Sequence, residues 1–235
     1  MEQSVAALVA RMEADLASLD DGRRYFHATY LRTTKAVGEE IERGGFADNI
    51  WLERWDLVFA DLYLQALAAK SPPRPWHIAL DTARHRVDLP PLRHVLLGMN
   101  AHINYDLPQA LLAVITPEEF DDADLMARRE ADHKHVDEVL LARVGAEDAE
   151  MGERSFLDRL LGPANRAGTK RFLVEARRKV WHNTRILDQA RRGGIYDETL
   201  AQLEELSAAK VAELTAPGQV LLRLARRGFG VTLSP

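Results

Sequence analysis

The stretch "HVLLGMNAHINYDLP", residues 94–108, carries an uninterrupted helical pattern and decides the fold. Its apolar side chains return every three or four residues, as they do on one face of an α-helix. That face comprises Leu92, Val95, Leu96, Met99, Ile103 and Leu107. The far side is apolar too, and from residue 94 to residue 115 the only formally charged side chain is Asp106. We therefore expect this helix to lie at the centre of a bundle, enclosed by other helices.

Helical patterns continue from this stretch toward both ends of the chain. No segment alternates apolar and polar residues over a useful strand length, and we find no internal repeat. The sequence predicts an all-α, single-domain bundle of about eight or nine helices around a central buried helix near 91–107. The domain is expected to span 1–235, with a core at 20–192 and C-terminal helices at 195–228 packed on it.

Local signals place several helix ends. The motif "TPEEF" at 116–120 is a capping box with proline at the first helical position, and it predicts a helix that reaches about Val144. The following "GAEDAEMGE", residues 145–153, is predicted to be a loop, and another helix is expected near 155–161. In the central stretch, Pro108 lacks the N–H that a continuous helix requires, so the helix should kink or restart there.

Composition excludes several kinds of site. The chain has 235 residues, a net charge of -5 and no cysteine, which excludes disulfides, thiolate metal sites and thiol nucleophiles. The acidic balance gives no broad basic surface, so we expect no nucleic-acid partner. No window reaches about 18 uncharged apolar residues, and the N-terminus is an acidic amphipathic helix. We expect a cytoplasmic bacterial protein with no membrane partner, in which the basic C-terminal "GQVLLRLARRGFGVTL" packs on the bundle.

The central stretch also contains two histidines, two asparagines and one aspartate. Burying such a group without a partner costs about 1 to 3 kcal/mol, so a core helix does not normally collect five of them. His102 and Asp106 are four residues apart, which places both side chains over one helical turn. This geometry suits two ligands of one metal, or a carboxylate that orients an imidazole.

Other helices place polar side chains on faces that should be buried. Asp56 and Tyr63 lie along the edge of the third helix, Asp132 lies on the apolar face of "READHKHVDEVL", and Asn183 lies on that of "KVWHNTRILD". Groups from facing helices can satisfy one another, so convergence on one polar centre is the economical explanation.

The leading hypothesis is a small-molecule enzyme in which His102 acts as a base or ligand and Asp106 orients it. The residues expected to bind the substrate by hydrogen bonds are Asn100, Asn104 and Tyr63. If a divalent metal is bound, its ligands would be Asp56, His102, Asp106 and Asp132. Three carboxylates and one histidine favour zinc, manganese or iron, with hydrolase or lyase chemistry. Without a metal, the same residues could transfer protons on an apolar substrate.

The competing hypothesis is a non-catalytic helical bundle whose buried polar network is structural or binds a small ligand. In that case Asp106 would cap a helix that restarts at Leu107, and the asparagines would bond to neighbouring helix ends. Such a bundle could form a homodimer through faces such as that of Trp181, which the helical angle points away from the core. The sequence leaves both hypotheses open.

Two motifs carry a resemblance to a known family. "DLVFADLY" and, about 30 residues later, "HVLLGMNAHINYDLPQAL" resemble an uncharacterised family of helical bacterial proteins, classified only as a domain of unknown function. "GGFADNIWLERWD" and "ADHKHVDEVL" are similar in layout, so the resemblance covers most of residues 20–190. The matching motif positions are Asp56, Asn100, His102, Asn104 and Asp106, whereas His182 departs from the pattern. The resemblance implies the fold and the site, and no particular reaction.

The spacing is also similar to the His-x-x-x-Asp helix of zinc-dependent phospholipase C and related nucleases. Those all-helical enzymes also use an aspartate from an earlier helix, and Asp56, His102 and Asp106 would fit that arrangement. However, they use many more histidines and a metal-bound N-terminus in a secreted protein, and neither is evident in this sequence. The similarity is therefore an analogy only.

Overall fold

The computed structural model of the chain describes residues 4–151, 166–218 and 220–234, and every regular element in those residues is a helix. The elements are α1 (Val5–Ser18), α2 (Arg23–Glu42), α3 (Asn49–Ala68), α4 (Arg74–His85), α5 (Pro91–Ala101), a π-helical turn (His102–Asp106), α6 (Leu107–Val114), α7 (Pro117–Asp121), α8 (Ala123–Met151), α9 (Arg166–Gly193), α10 (Tyr196–Thr215) and α11 (Val220–Arg227). With α5, the π turn and α6 counted as one helix, and α7 counted with α8, these described residues form nine helices.

The all-α prediction is confirmed. The helix predicted near 155–161 lies outside the described residues. Among the helices that are described, none is long and apolar enough to cross a membrane.

The helix that begins with α5 and ends with α6 runs through the middle of the bundle, as predicted. α2, α4 and α10 pack on α5, while α3 and α9 pack on α6. Leu97, Ala101 and Leu111 consequently have no exposed surface. Full burial of a leucine side chain contributes about 2 kcal/mol to the stability of the folded state. Because other helices cover this helix on every side, apolar residues are favoured on all of its faces.

Pro108 widens the central helix rather than breaking it. Between His102 and Asp106 the backbone makes a π-helical turn, in which the Leu107 N–H donates to the His102 carbonyl five residues back. The helix then continues through α6 with Pro108 in its first turn, a position where helices tolerate the missing N–H. The predicted kink or restart therefore takes the form of a widened turn.

α8 extends further than the sequence predicts. Residues 145–151, predicted to begin a loop, are helical. The segment "AEDAEM" is rich in alanine, glutamate and methionine, which favour helices, and the single Gly145 costs only about 1 kcal/mol relative to alanine. One glycine is therefore too weak a stop signal to end this helix.

After α11 the chain leaves the helix and crosses the bundle. Gly228 has a φ of 72°, in the left-handed region that glycine adopts without strain. Phe229 then enters the main apolar core with no exposed surface, in the same cluster as Val220 and Leu224. The segment that follows α11 thus packs on the bundle, as expected.

Candidate functional site

His102 and Asp106 form a buried pair on the π turn. Nδ1 of His102 lies 2.8 Å from Oδ2 of Asp106, and the indole Nε1–H of Trp76 in α4 donates to the same oxygen at 2.8 Å. His102 is 3% exposed and Asp106 is 2% exposed. The contact that the four-residue spacing predicts is therefore formed, and Trp76 fixes the carboxyl group from a second helix.

Burial controls the protonation of this pair. It lowers the pKa of His102 and raises the pKa of Asp106, and the hydrogen bond between the two groups opposes both shifts. When Asp106 is ionised, its Oδ2 accepts both the Trp76 N–H and the Nδ1–H of a neutral imidazole. This arrangement leaves a lone pair on Nε2 of His102, which is the form of a general base.

Aromatic rings enclose the imidazole of His102. Phe59 of α3 stacks on it, with ring centroids 3.6 Å apart and planes inclined by 4°. Tyr30 of α2 approaches edge-on, with centroids 4.5 Å apart. Further rings lie with centroids no more than 6.0 Å away, namely Phe26, Tyr63 and Trp76. These apolar walls keep water from the imidazole and account for its lowered pKa.

Twelve buried side-chain atoms have no hydrogen-bond partner among the described residues, and three of them belong to a phenol, a carboxyl group and an imidazole on α2, α3 and the π turn. These three atoms are Tyr30 Oη, Asp56 Oδ2 and His102 Nε2. Burial, with a smaller effect from Glu53, raises the pKa of Asp56 to about 7. Burial, followed by the negative charge of Asp56, raises the pKa of Tyr30 well above its usual value. The charge of Asp56 therefore affects the pKa of the Tyr30 hydroxyl, while the Tyr30 ring contacts His102.

The hydroxyl of Tyr63, predicted to bind substrate, is used within the protein. It donates to Nδ1 of His27 at 2.9 Å, and Nε2–H of His27 donates to the Met12 carbonyl at 2.8 Å. Only the ring of Tyr63 faces His102. The structure thus gives Tyr63 the role of a wall of the enclosure.

Asn100 and Asn104, also predicted to bind substrate, instead hold the segment after α11. Each side-chain amide donates to the carbonyl of Phe229 at 3.1 Å. Oδ1 of Asn104 also accepts the N–H of Val231 at 3.1 Å. The two asparagines therefore bind the protein's own backbone.

The four predicted metal ligands do not come together. Asp132 accepts the N–H groups of Ala47 and Asp48 at 2.8 and 2.9 Å, in the loop before α3. Asp106 is committed to His102 and Trp76. In the described part of the chain, no three histidine, aspartate or glutamate side chains are placed to hold a metal ion. The predicted metal set therefore lacks structural support, because Asp106 and Asp132 bond to separate partners.

Comparison with known proteins adds the family. The model of a family of unknown function, DUF5995, matches residues 3–217. The chain belongs to this family. The resemblance to an uncharacterised family, based on two sequence motifs, is thereby confirmed. No curated protein and no solved structure matches the chain.

The sequence patterns did not predict the aromatic residues around His102. Phe59 has helical spacing from Trp55 and Leu62, which predicts an apolar face of α3 but does not indicate that Phe59 stacks on an imidazole. Trp76 follows the "SPPRP" segment, and a buried tryptophan needs an acceptor for its N–H. That requirement was the available signal, although it does not say which acceptor on a distant helix is used.

Trp181 faces the core of the DUF5995 chain, not a dimer surface. It is 3% exposed, and its indole N–H donates to Nδ1 of His133 in α8 at 3.1 Å. Arg177 contacts the same nitrogen and forms an ion pair with Asp137. The prediction that Trp181 points away from the core is wrong because α8 covers the side of α9 that the helical pattern assigned to solvent.

Proposed function

We propose that the protein is an enzyme that transfers a proton on a small, largely apolar molecule. His102 acts as the general base through Nε2, and Asp106 orients the imidazole through Nδ1. The observation that carries the proposal is the state of Nε2, which is buried and unpartnered among the described residues while Nδ1 is held by a fixed carboxyl group. The acidic composition and the lack of cysteine support a cytoplasmic location.

The energetic cost of the site supports this proposal. A buried polar atom without a hydrogen bond costs about 1 to 3 kcal/mol, and Nε2 of His102 is such an atom. Native proteins leave few such atoms, and an entire domain is stable by only about 5 to 15 kcal/mol. A ligand that bonds to Nε2 of His102 would recover the cost of that atom.

The enclosure also indicates the class of substrate. Phe59 and Tyr30 surround the imidazole with apolar rings, so we propose that a substrate that reaches Nε2 is small and largely apolar, with one polar group. A base in such surroundings is poorly hydrated, and general-base catalysis contributes about 10²- to 10⁴-fold to a rate. Because the described carboxylates do not assemble as a metal site, we propose chemistry that depends on the imidazole itself.

The test uses 5-nitrobenzisoxazole, a flat probe whose ring opens when a base removes its C–H proton and the N–O bond breaks to give a coloured phenolate. We expect the wild-type protein to accelerate this reaction saturably, and His102→Ala to lower the rate at least 100-fold. Asp106→Asn should give an intermediate loss. His85→Ala, which changes an exposed histidine of α4, is the matched control and should have no effect.

A second measurement tests the base without any substrate. In protein labelled with ¹⁵N-histidine, NMR should show a proton on Nδ1 of His102 and none on Nε2 at neutral pH. A proton on Nε2 would remove the general base from the proposal, whatever the outcome with the probe. Equal ring-opening rates for folded wild type and His102→Ala would have the same effect.

The second candidate function is a non-catalytic bundle whose polar network fixes the packing. The observation that favours it is that Asn104, Tyr63 and Asp132 all bond to groups of the protein itself. For such a bundle, His102→Ala would change the free energy of unfolding but neither the probe reaction nor its saturation. The two candidates therefore differ in a measurable result.

A further inference from the structure

The segment after Gly228 is held by side-chain amides with a two-residue spacing. Asn104 donates to the Phe229 carbonyl and accepts the Val231 N–H, both at 3.1 Å. Asn183 of α9 donates to the Val231 carbonyl at 3.1 Å and accepts the Leu233 N–H at 2.9 Å. Each asparagine thus bonds to a carbonyl and to the N–H two residues later. This repeat indicates an extended backbone.

Further side chains complete the same contact. The groups that donate to the segment are Asn100 to the Phe229 carbonyl, Lys179 to the Gly230 carbonyl and His182 to the Leu233 carbonyl. All these bonds go to main-chain atoms of the segment. These hydrogen bonds therefore depend on the backbone conformation of the segment. Its side-chain preferences come from packing.

Packing selects alternate side chains of the segment. Phe229, Val231 and Leu233 are buried, whereas Thr232 and Ser234 are exposed. Gly230 lies against α9, because a Cβ there would be 2.6 Å from Lys179 Cδ and 3.5 Å from Ala176 Cα. The preferred sequence is therefore apolar, small, apolar, any residue, apolar.

This pattern is the physical basis of peptide recognition by strand addition. A peptide that adds to a sheet edge pairs its N–H and carbonyl groups with the edge and places alternate side chains in pockets. A primary amide offers the same donor and acceptor as a peptide group. Asn104 and Asn183 therefore take the place of a strand edge, on two helices.

We propose that the π turn and α9 form a peptide-binding groove whose ligand is an extended peptide with apolar residues at alternate positions. Residues 229–233 fill this groove in cis. Its recognition groups, Asn104 and Asn183, belong to helices that pack within the bundle, and Gly228 separates the bound segment from α11. An extended peptide of the same pattern therefore competes with the cis segment. This inference does not depend on the proposed chemistry at His102.

The test releases the cis segment without changing the groove. Val231→Pro with Leu233→Pro removes the two N–H donors that the asparagines accept. A fluorescent peptide of residues 228–234, "GFGVTLS", should bind this full-length variant saturably by anisotropy and at least tenfold more tightly than it binds wild type. The wild-type groove is already filled in cis.

Matched variants identify the groove. In the released chain, Asn104→Ala with Asn183→Ala should weaken peptide binding at least tenfold. Asn49→Ala changes the first residue of α3, whose side-chain amide donates to the Phe46 carbonyl, and should leave binding unchanged. Absence of saturable binding to the folded released chain would overturn the proposal, and so would binding that is insensitive to the two asparagines.

Amide hydrogen exchange of the wild-type chain keeps the proposal testable if the released variant does not fold. The N–H groups of Val231 and Leu233 should exchange at least tenfold more slowly than that of Thr232, which lies between them with its side chain exposed. Asn104→Ala should speed exchange at Val231, and Asn183→Ala should speed it at Leu233. Equal exchange at residues 231–233 would refute a groove that binds alternate amides.

Discussion

The buried carboxyl group of Asp56 should make the stability of the protein depend on pH, and one substitution should remove that dependence. Burial, with a smaller effect from Glu53, raises the pKa of Asp56 from 3.8 to about 7. The folded state therefore binds this proton more tightly than the unfolded state does. The resulting stability is complete below pH 3.8 and is lost as the pH rises through 7.

The size of this loss follows from the two pKa values. Between them, each pH unit lowers the free energy of unfolding by about 1.4 kcal/mol, so the complete loss is about 4 kcal/mol. That is between about a quarter and about four-fifths of the 5 to 15 kcal/mol that is typical for a domain. Asp56→Asn keeps the shape of the side chain but does not titrate, so the variant should not show the loss.

Urea unfolding of wild type and Asp56→Asn at several pH values between 4 and 8 measures the effect. The difference in unfolding free energy, wild type minus variant, should fall by about 4 kcal/mol across this range. Asp61→Asn is the matched control on the same helix, because the Asp61 carboxylate bonds to Gln65 at the surface. A difference that stays constant within about 1 kcal/mol would refute the reasoning, as would the same trend in Asp61→Asn.

Trp76→Phe removes the N–H that fixes Asp106, and we expect it to lower the unfolding free energy by about 2 kcal/mol and to slow ring opening of 5-nitrobenzisoxazole. If both the unfolding free energy and the ring-opening rate stayed unchanged, this hydrogen bond would not be needed to hold Asp106 in place. Asp132→Ala leaves two N–H groups before α3 without their acceptor and should cost about 2 kcal/mol in urea unfolding, whereas Asp124→Ala, at an exposed position of α8, should cost less than about 0.5 kcal/mol. The wild-type rate with the probe should reach half its maximum below pH 6.5, because burial lowers the pKa of His102; an NMR titration midpoint above 6.5 for that imidazole would contradict this expectation.

The central helix and the pair within it were predictable because their causes are local. Apolar spacing over 94–108 places the helix in the core, and four-residue spacing brings His102 to Asp106. Pro108 indicated a disturbance at the correct place. Whether that disturbance becomes a break or a π turn depends on neighbouring helices, which the local pattern does not contain.

The hydrogen-bond partners of the other polar residues could not be predicted from such patterns. Asn104 is satisfied by a backbone more than 120 residues away in sequence, and Asp132 by a loop more than 80 residues away. Backbone acceptors and donors are present at every position, so they leave no mark in the sequence. The position of a residue around the helix axis predicts whether its polar side chain is buried. It does not show whether that side chain binds a ligand or the protein's own main chain.

The π turn has a consequence for communication within the molecule. Asn104, which holds the segment after α11, lies in the same five-residue turn as His102 and Asp106. A ligand that tightens or loosens this turn at one side changes the affinity at the other, and thermodynamic linkage requires the effect to be reciprocal. Any effect of an occupant at His102 on the binding of residues 229–233 would therefore equal the effect of those residues on that occupant. Both proposed sites share one widened turn of five residues.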